Sequence, residues 1–243
     1  VYDGSLAKLL HAPGGLEGDV EIPEGTEEIG PFAFYGCKKA ASIRLPGTLK
    51  SVGDSAFNGC SGLSALRIPA SLASVGAYAF SGCSGIKEFS VEKGNPTYSS
   101  VDGCLCSGDG RILIKAPAGD VTEAEIPAAV EEIGTGAFGG CLKMEKARIG
   151  PGVRSIGQDA FKGCSSLKSL EISEGVESIG KYAFFGCTSL EEVRIPDTAK
   201  SLGTWAFGDC SALRKASVPS SLELGPTSFP QDTEIVRRRG KNN

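Results

Sequence analysis

The sequence predicts an α/β solenoid: a right-handed coil with a parallel concave sheet, short helical or 3₁₀ segments on its convex side, and a protruding β-hairpin insert. Three observations carry that prediction. Cysteines recur every 23 residues, at 37, 60 and 83 and again at 141, 164, 187 and 210. An Ala-Phe pair keeps step with them, at Phe34, Phe57, Phe80, Phe138, Phe161, Phe184 and Phe207. So does an extended phrase that usually closes on proline, as in Arg44-Leu45-Pro46 and Arg194-Ile195-Pro196. A unit this short cannot bury its own apolar face, whereas stacked units bury a continuous core against their neighbours.

Each coil opens on a strand such as 192–195, whose side chains alternate outward and inward. Pro196 follows and ends the ladder, because it has no N–H to donate. A pair resembling Ile-Gly, here Leu202-Gly203, makes a turn. Residues 205–207 then begin a helical or 3₁₀ segment, closed by a glycine in the left-handed region at Gly186 and its counterparts. Asp209 takes that place in one coil and tolerates the conformation. Strand phrases near 22, 45, 68, 91, 126, 149, 172, 195 and 218 give nine coils, with a frayed tenth strand at 233–236.

The step from 91 to 126 is 35 residues instead of 23. The excess falls within 94–120, where 98–106 and 111–115 read as two strands joined by Ser107-Gly108-Asp109-Gly110. LLHAPGG at 9–15 parallels LIKAPAG at 113–119. The chain is therefore expected to open in the second half of the same hairpin module, at 1–18, as part of something longer. The reading is one domain over 1–236 and a disordered basic tail over 237–243.

The formal net charge is −4. Arg237, Arg238, Arg239 and Lys241 contribute +4, which leaves about −8 on the body. Phosphate binding needs clustered cations, so no nucleic acid is expected as a partner. No apolar run is long enough to span a bilayer, so no direct membrane insertion is expected of this chain. The start of the chain has no basic-then-apolar pattern, so no leader peptide is expected within it, and a first residue of Val1 leaves room for one already cut away.

The cysteines invite a chemical reading, but their period argues for a buried ladder of small apolar side chains. Stacked parallel side chains hold Cβ atoms too far apart for the preferred disulfide geometry. A straight ladder does not converge tetrahedrally on zinc. Cross-coil disulfides and metal ligation are the alternatives to the structural ladder. Cys104 and Cys106 are expected on one face of a strand without bonding each other. The single histidine, His11, lies near the ragged start of the chain. No nucleophile elbow, zinc-protease helix motif or phosphate loop is present. The expectation is no enzyme, no catalytic residue, no cofactor and no metal.

Solenoids bind through extended faces. Outward strand positions form a column that includes Arg44, Arg67, Arg148, Glu171 and Arg194, the candidate concave binding surface. Its alternating run Glu125, Arg148, Glu171, Arg194 reads as cross-strand pairing. Arg44 beside Arg67 breaks the alternation and is the first candidate for an anionic contact. Aromatic residues avoid these columns and stand before the Ala-Phe pair instead. Tyr78, Tyr182 and Trp205 form the candidate convex patch, read either as packing or as a secondary contact.

The stretch IGKYAFFGCTSLEEVRIP, from Ile179 to Pro196, resembles the BspA-like leucine-rich repeats, also called the Treponema pallidum type. The insert GNPTYSSVDGCLCSGDGRILIKAPAG resembles the hairpin module that interrupts such arrays. The resemblance covers almost the whole chain. It implies a bacterial cell-surface or secreted protein used for adhesion or recognition, with a host, extracellular-matrix or other surface protein as partner. A structural spacer presenting another domain is the alternative. The family has no common catalytic residues to carry over. Ile149-Gly150 and Ile172-Ser173 lack the usual proline, and Ala40 replaces the usual leucine.

Overall fold

The computed structural model describes residues 1–239. The chain forms two compact units, Val1–Asp120 and the unit that begins at Val121. Each is built from 23-residue coils with the predicted strand register. In the second unit Lys146 pairs with Ser169, Arg148 with Glu171 and Ile149 with Ile172, all in parallel. Among the described residues there are ten long coil strands, four in the first unit and six in the second. They form short sheets, and the ladder breaks between Lys39–Arg44 and Ala65–Ile68 and again between Ser169–Ile172 and Glu192–Arg194.

A second parallel ladder comes from the Ile-Gly-like pairs. Glu132–Ile133, Ser155–Ile156, Ser178–Ile179 and Ser201–Leu202 pair in succession. The glycine that follows each is there for space. A Cβ on Gly203 would lie 2.4 Å from the Lys181 backbone nitrogen, so any larger residue would push adjacent coils apart.

The Ala-Phe segments are turns, and no helix occurs among the described residues. This corrects the helical or 3₁₀ reading of the convex side. The residue before each alanine is left-handed: φ is 58° at Phe32, 57° at Tyr182, 58° at Trp205 and 65° at Gly136. One such residue per coil interrupts right-handed helix geometry. The amides then alternate. Ala183 N–H donates within its own coil to the Gly180 carbonyl (3.3 Å), whereas Phe184 N–H donates to Ala206 of the next coil (2.7 Å). The glycine closing the segment is left-handed as expected, with φ 74° at Gly186, and Asp209 matches it at 55°.

The phenylalanines form the spine. Phe161 is fully buried and stacks on Phe138 at 4.6 Å and on Phe184 at 4.9 Å. All nine cysteines are free and buried. Within the repeat column, thiols donate backward along the stack at Cys60 (to the Phe34 carbonyl, 3.1 Å), Cys83 (Phe57, 3.1 Å), Cys164 (Phe138, 3.3 Å), Cys187 (Phe161, 3.4 Å) and Cys210 (Phe184, 3.2 Å). The ladder therefore fills volume and also satisfies a carbonyl in the preceding coil.

The insert has three antiparallel strands, Tyr98–Val101, Cys104–Ser107 and Ile112–Lys115, where two were expected. Asp102 and Gly103, with φ 50° and 74°, make the extra turn. It packs onto the coils instead of protruding. Phe89 N–H donates to the Gly103 carbonyl, Ser100 Oγ donates to the Phe89 carbonyl, and Leu105 and Cys106 are fully buried. Cys104 and Cys106 are both buried, and so is Leu105 between them, because the middle strand is covered on both faces.

The tenth strand is not frayed. Glu234–Arg238 pairs along its whole length with Lys215–Pro219. Arg237 and Arg238, assigned to the tail by charge, belong to this strand. Arg237 Nη1 donates to the Leu222 carbonyl (2.6 Å), and Arg238 donates to Ser217 Oγ (2.8 Å) and the Ile195 carbonyl (2.5 Å). The tail residues from 240 onward, Lys241 among them, lie outside the described residues. No helix among the described residues is long and apolar enough to cross a membrane.

Candidate functional site

Two exposed faces of the coils carry the residues singled out from sequence. On the strand face the candidate arginines all have carboxylate partners. Arg148 pairs with Glu171 at 3.0 Å, as the alternating column predicts. Arg194 turns away from its neighbour in the column to Glu174 (2.9 Å) and Asp197 (3.3 Å). Arg44 and Arg67 are not left as an unrelieved like-charged pair. Arg44 lies 3.6 Å from Glu21 and Arg67 lies 3.1 Å from Glu92. Glu92 sits just past the Glu88–Val91 strand, outside the column, so column periodicity gave no sign of it. These pairs are well exposed, and each contributes little to stability.

Where the sheet of the second unit breaks, an open cavity of about 480 Å³ lies on this face. Leu170, Val193 and Val236 give it an apolar lining, and Glu192, Arg194, Lys215 and Arg238 add charge. Asp197 bridges two of those cations, at 2.5 Å from Arg238 and 3.3 Å from Arg194. Charge is thus largely matched within the face. Elsewhere Lys146 holds the Glu123 carboxyl below its ordinary range by hydrogen bond and charge, and Lys200 does the same to Glu177.

On the turn face the candidate aromatics divide between the units. Tyr78 belongs to the first, Tyr182 and Trp205 to the second. Tyr182 and Trp205 meet through Phe185, which sequence reasoning missed. Phe185 packs edge-on against Tyr182 (5.5 Å, 88°) and against Trp205 (6.4 Å, 69°). Trp205 also lies over Gly208, where a Cβ would come within 2.5 Å of the indole. Lys162 sits over both Tyr182 and Phe185, and Lys181 lies 4.8 Å from the Tyr182 ring centre. The missed signal is the residue after each Ala-Phe pair. It runs Tyr35, Asn58, Ser81, Gly139, Lys162, Phe185, Gly208 and shares a side of the turn with the residue before the alanine. In the first unit the same geometry joins Phe32 to Tyr35 (5.9 Å), with both rings more than half exposed.

All nine thiols are buried, but their acidities diverge, and hydrogen bonding with Cys60 lowers Cys83. Burial pushes Cys106 up to about 11, with the Asp102 charge adding to the rise. Hydrogen bonding with Cys210, and then burial, raises Cys187 well above the ordinary thiol range. No group of three or more His, Cys, Asp or Glu residues that could hold a metal is found among the described residues. The Asp109 carboxylate is taken up by the hairpin turn, accepting from Ser107 Oγ (2.6 Å) and the Arg111 N–H (3.1 Å).

The family model for the BspA type leucine rich repeat region matches residues 17–101 and 118–236 in six copies. No curated protein matches the chain. Among solved structures, a leucine-rich cell surface protein from Faecalibacterium prausnitzii A2-165 is similar with a TM-score of 0.80 at 27% identity, over 93% of this chain and 60% of that one. The pneumococcal vaccine antigen PcpA is similar with a TM-score of 0.74 at 22% identity, over 91% and 62%. A leucine-rich repeat protein from Eubacterium ventriosum gives 0.73 at 23%, over 89% and 59%. The latter two, at such identity, speak to the fold alone. The chain spans about three-fifths of the length of each of these proteins.

Proposed function

The chain belongs to the BspA-type leucine-rich repeat family, and from that premise we propose that it is a non-catalytic recognition and adhesion module of an exported cell-surface protein. Its partner is a host, extracellular-matrix or other surface protein. The observation that carries this reading is the division of labour in the coil. Cysteines and phenylalanines are spent on the interior, while the strand face shows exposed charges and the turn face exposed rings. Repeat scaffolds recognise partners by varying such outward positions on a constant frame. The likeness to a leucine-rich cell surface protein supports the location.

The strand-face contact is Arg44, Arg67, Arg148, Glu171 and Arg194. A screen of the chain against extracellular-matrix proteins, with an Arg44→Glu/Arg67→Glu variant beside it, tests the reading. Saturable binding by the wild type supports recognition, and its loss in the folded variant assigns the strand face. A wild type that binds nothing in the screen overturns recognition. The alternative reading, a spacer presenting another domain, is favoured by the internal ion pairing of Arg44 and Arg67, which leaves neither cation waiting for a partner.

A further inference from the structure

The geometry points to the turn face of the second unit as the docking site for an acidic, apolar-tipped polypeptide segment of a partner protein. This rests on the recognition reading and names a surface and a chemistry for it. The site comprises Lys162, Lys181, Tyr182, Phe185 and Trp205.

The first observation is conformational. Tyr182 and Trp205 are left-handed, with φ 57° and 58°. Bulky L residues rarely adopt that region. The same position holds Ser55, Asp159 and Gly136 in other coils, so the fold does not need an aromatic there. Nor is burial the reason, because Trp205 remains 41% exposed. Both rings gain edge-on packing through Phe185. Yet Trp205 keeps much of its surface in solvent at a strained position that smaller residues fill in other coils, which points toward function.

The second observation is charge. Lys162 is tied to the buried Asp159 at 3.2 Å. Lys181 lies against Tyr182, and no carboxylate of the described residues comes within 4.0 Å of it. Asp209 is the exposed carboxylate of the neighbouring turn. The patch therefore offers apolar ring edges beside an ammonium with no counter-ion. An apolar side chain set among carboxylates complements both. Phe185 stands edge-on to Tyr182 and to Trp205, and the ammonium groups already lie against Tyr182. With the Tyr182 ring already in contact with two ammonium groups, a polypeptide is favoured over a stacked sugar ring.

Trp205 is the only tryptophan in the chain, so its emission reports on this patch directly. The probes are a synthetic peptide alternating Glu and Leu, its Lys/Leu counterpart, and a heparin oligosaccharide. The Glu/Leu peptide should shift Trp205 emission saturably and bind several-fold more weakly as salt rises from about 0.05 to about 0.5 M. Lys181→Glu should weaken it about tenfold. Phe185→Ser, which installs the residue type found at Ser81, should abolish it while leaving the circular dichroism spectrum unchanged. No emission shift, equal affinity in Lys181→Glu, or a response to heparin or the Lys/Leu peptide instead would overturn the inference. In the matrix-protein screen, a partner bound equally by wild type and Lys181→Glu refutes the patch and leaves recognition standing. If the wild type binds nothing there, recognition fails, and the peptide titration alone decides the patch.

Discussion

In the unit that begins at Val121, the rings of Phe138, Phe161, Phe184, Phe207 and Phe229 follow one another at 4.6, 4.9, 4.9 and 5.2 Å, all within 10° of parallel. In Val1–Asp120 the stack is looser and shorter. Phe34, Phe57 and Phe80 are spaced at 5.1 and 5.7 Å, and the next ring, Phe89, is tilted by 59°. Phe89 comes from a coil strand, not from an Ala-Phe turn. It stands where the insert displaces the next repeat, and the insert covers it through the Gly103 carbonyl. An unbroken 23-residue period thus produces parallel stacking, and an interruption is absorbed by recruiting a ring from a different part of the coil.

The largest expected effect tests that contrast. Phe161→Ala should cost about 3–5 kcal/mol in a guanidinium melt, the usual range for a buried phenylalanine. Phe80→Ala should cost less, because its ring contacts are looser, at 5.7 Å to Phe57 and 5.4 Å to the tilted Phe89. Equal losses would show that ring geometry does not govern the cost, and a loss under about 1 kcal/mol at Phe161 would refute the spine.

A smaller effect separates coils by how closely they approach. Gly203→Ala meets backbone at 2.4 Å, whereas Gly30→Ala meets the Leu9 carbonyl oxygen at 3.1 Å. Overpacking of this kind costs about 1–3 kcal/mol, and Gly203 should sit at the upper end with Gly30 well below it. The reverse order, read by thermal melting, would break the close-approach argument.

Next comes a pH dependence tied to the insert. The unfolded Cys106 thiol loses its proton near its ordinary value of 9.0, and the folded one near about 11. Between those values the unfolded state binds fewer protons, so stability falls as pH rises. The contribution is complete below about pH 9 and lost by about pH 11. Cys106→Ala should flatten part of that decline, and an unchanged slope would mean that the thiol is not sheltered by the insert.

The smallest effects belong to the strand face. Arg148→Ala and Arg44→Ala should each change stability by less than about 1 kcal/mol, because exposed pairs are weak. A larger loss at Arg148 would mean that the charged column supports the fold as well as decorating it.

Much of this was legible in the sequence, for a physical reason. Residues that repeat at Phe34, Cys37 and Gly36 must meet the same environment each time, so period alone reveals the core. What escaped was carried by residue type within a column. Ser55, Gly136 and Asp159 mark the position before the alanine as left-handed, yet the aromatics sharing that column hid the signal, and a helix was expected. Asp102-Gly103 is a strong hairpin dipeptide, but it fell inside a run that read as one strand. Phe229 lacks a following Gly-Cys and was not seen to close the stack. The turn-face patch was half visible. Tyr182 and Trp205 were found, while Phe185 and the two lysines occupy positions whose adjacency only the turn geometry reveals. Arg237 and Arg238 look like a solvated terminus by charge, although their guanidinium groups bond carbonyls and a hydroxyl.

The alternating amides of the turn and the backward-pointing thiols have a genetic consequence. Phe184 N–H reaches a carbonyl 22 residues ahead, and Cys187 reaches one 26 residues behind. Duplicating or deleting one whole 23-residue unit restores every such bond at the new junction. An insertion of one or two residues breaks them all at that junction unless, like the strands of the insert, it brings pairing of its own. The gene can therefore lengthen or shorten by whole repeats, changing the number of displayed columns while each column keeps its own chemistry.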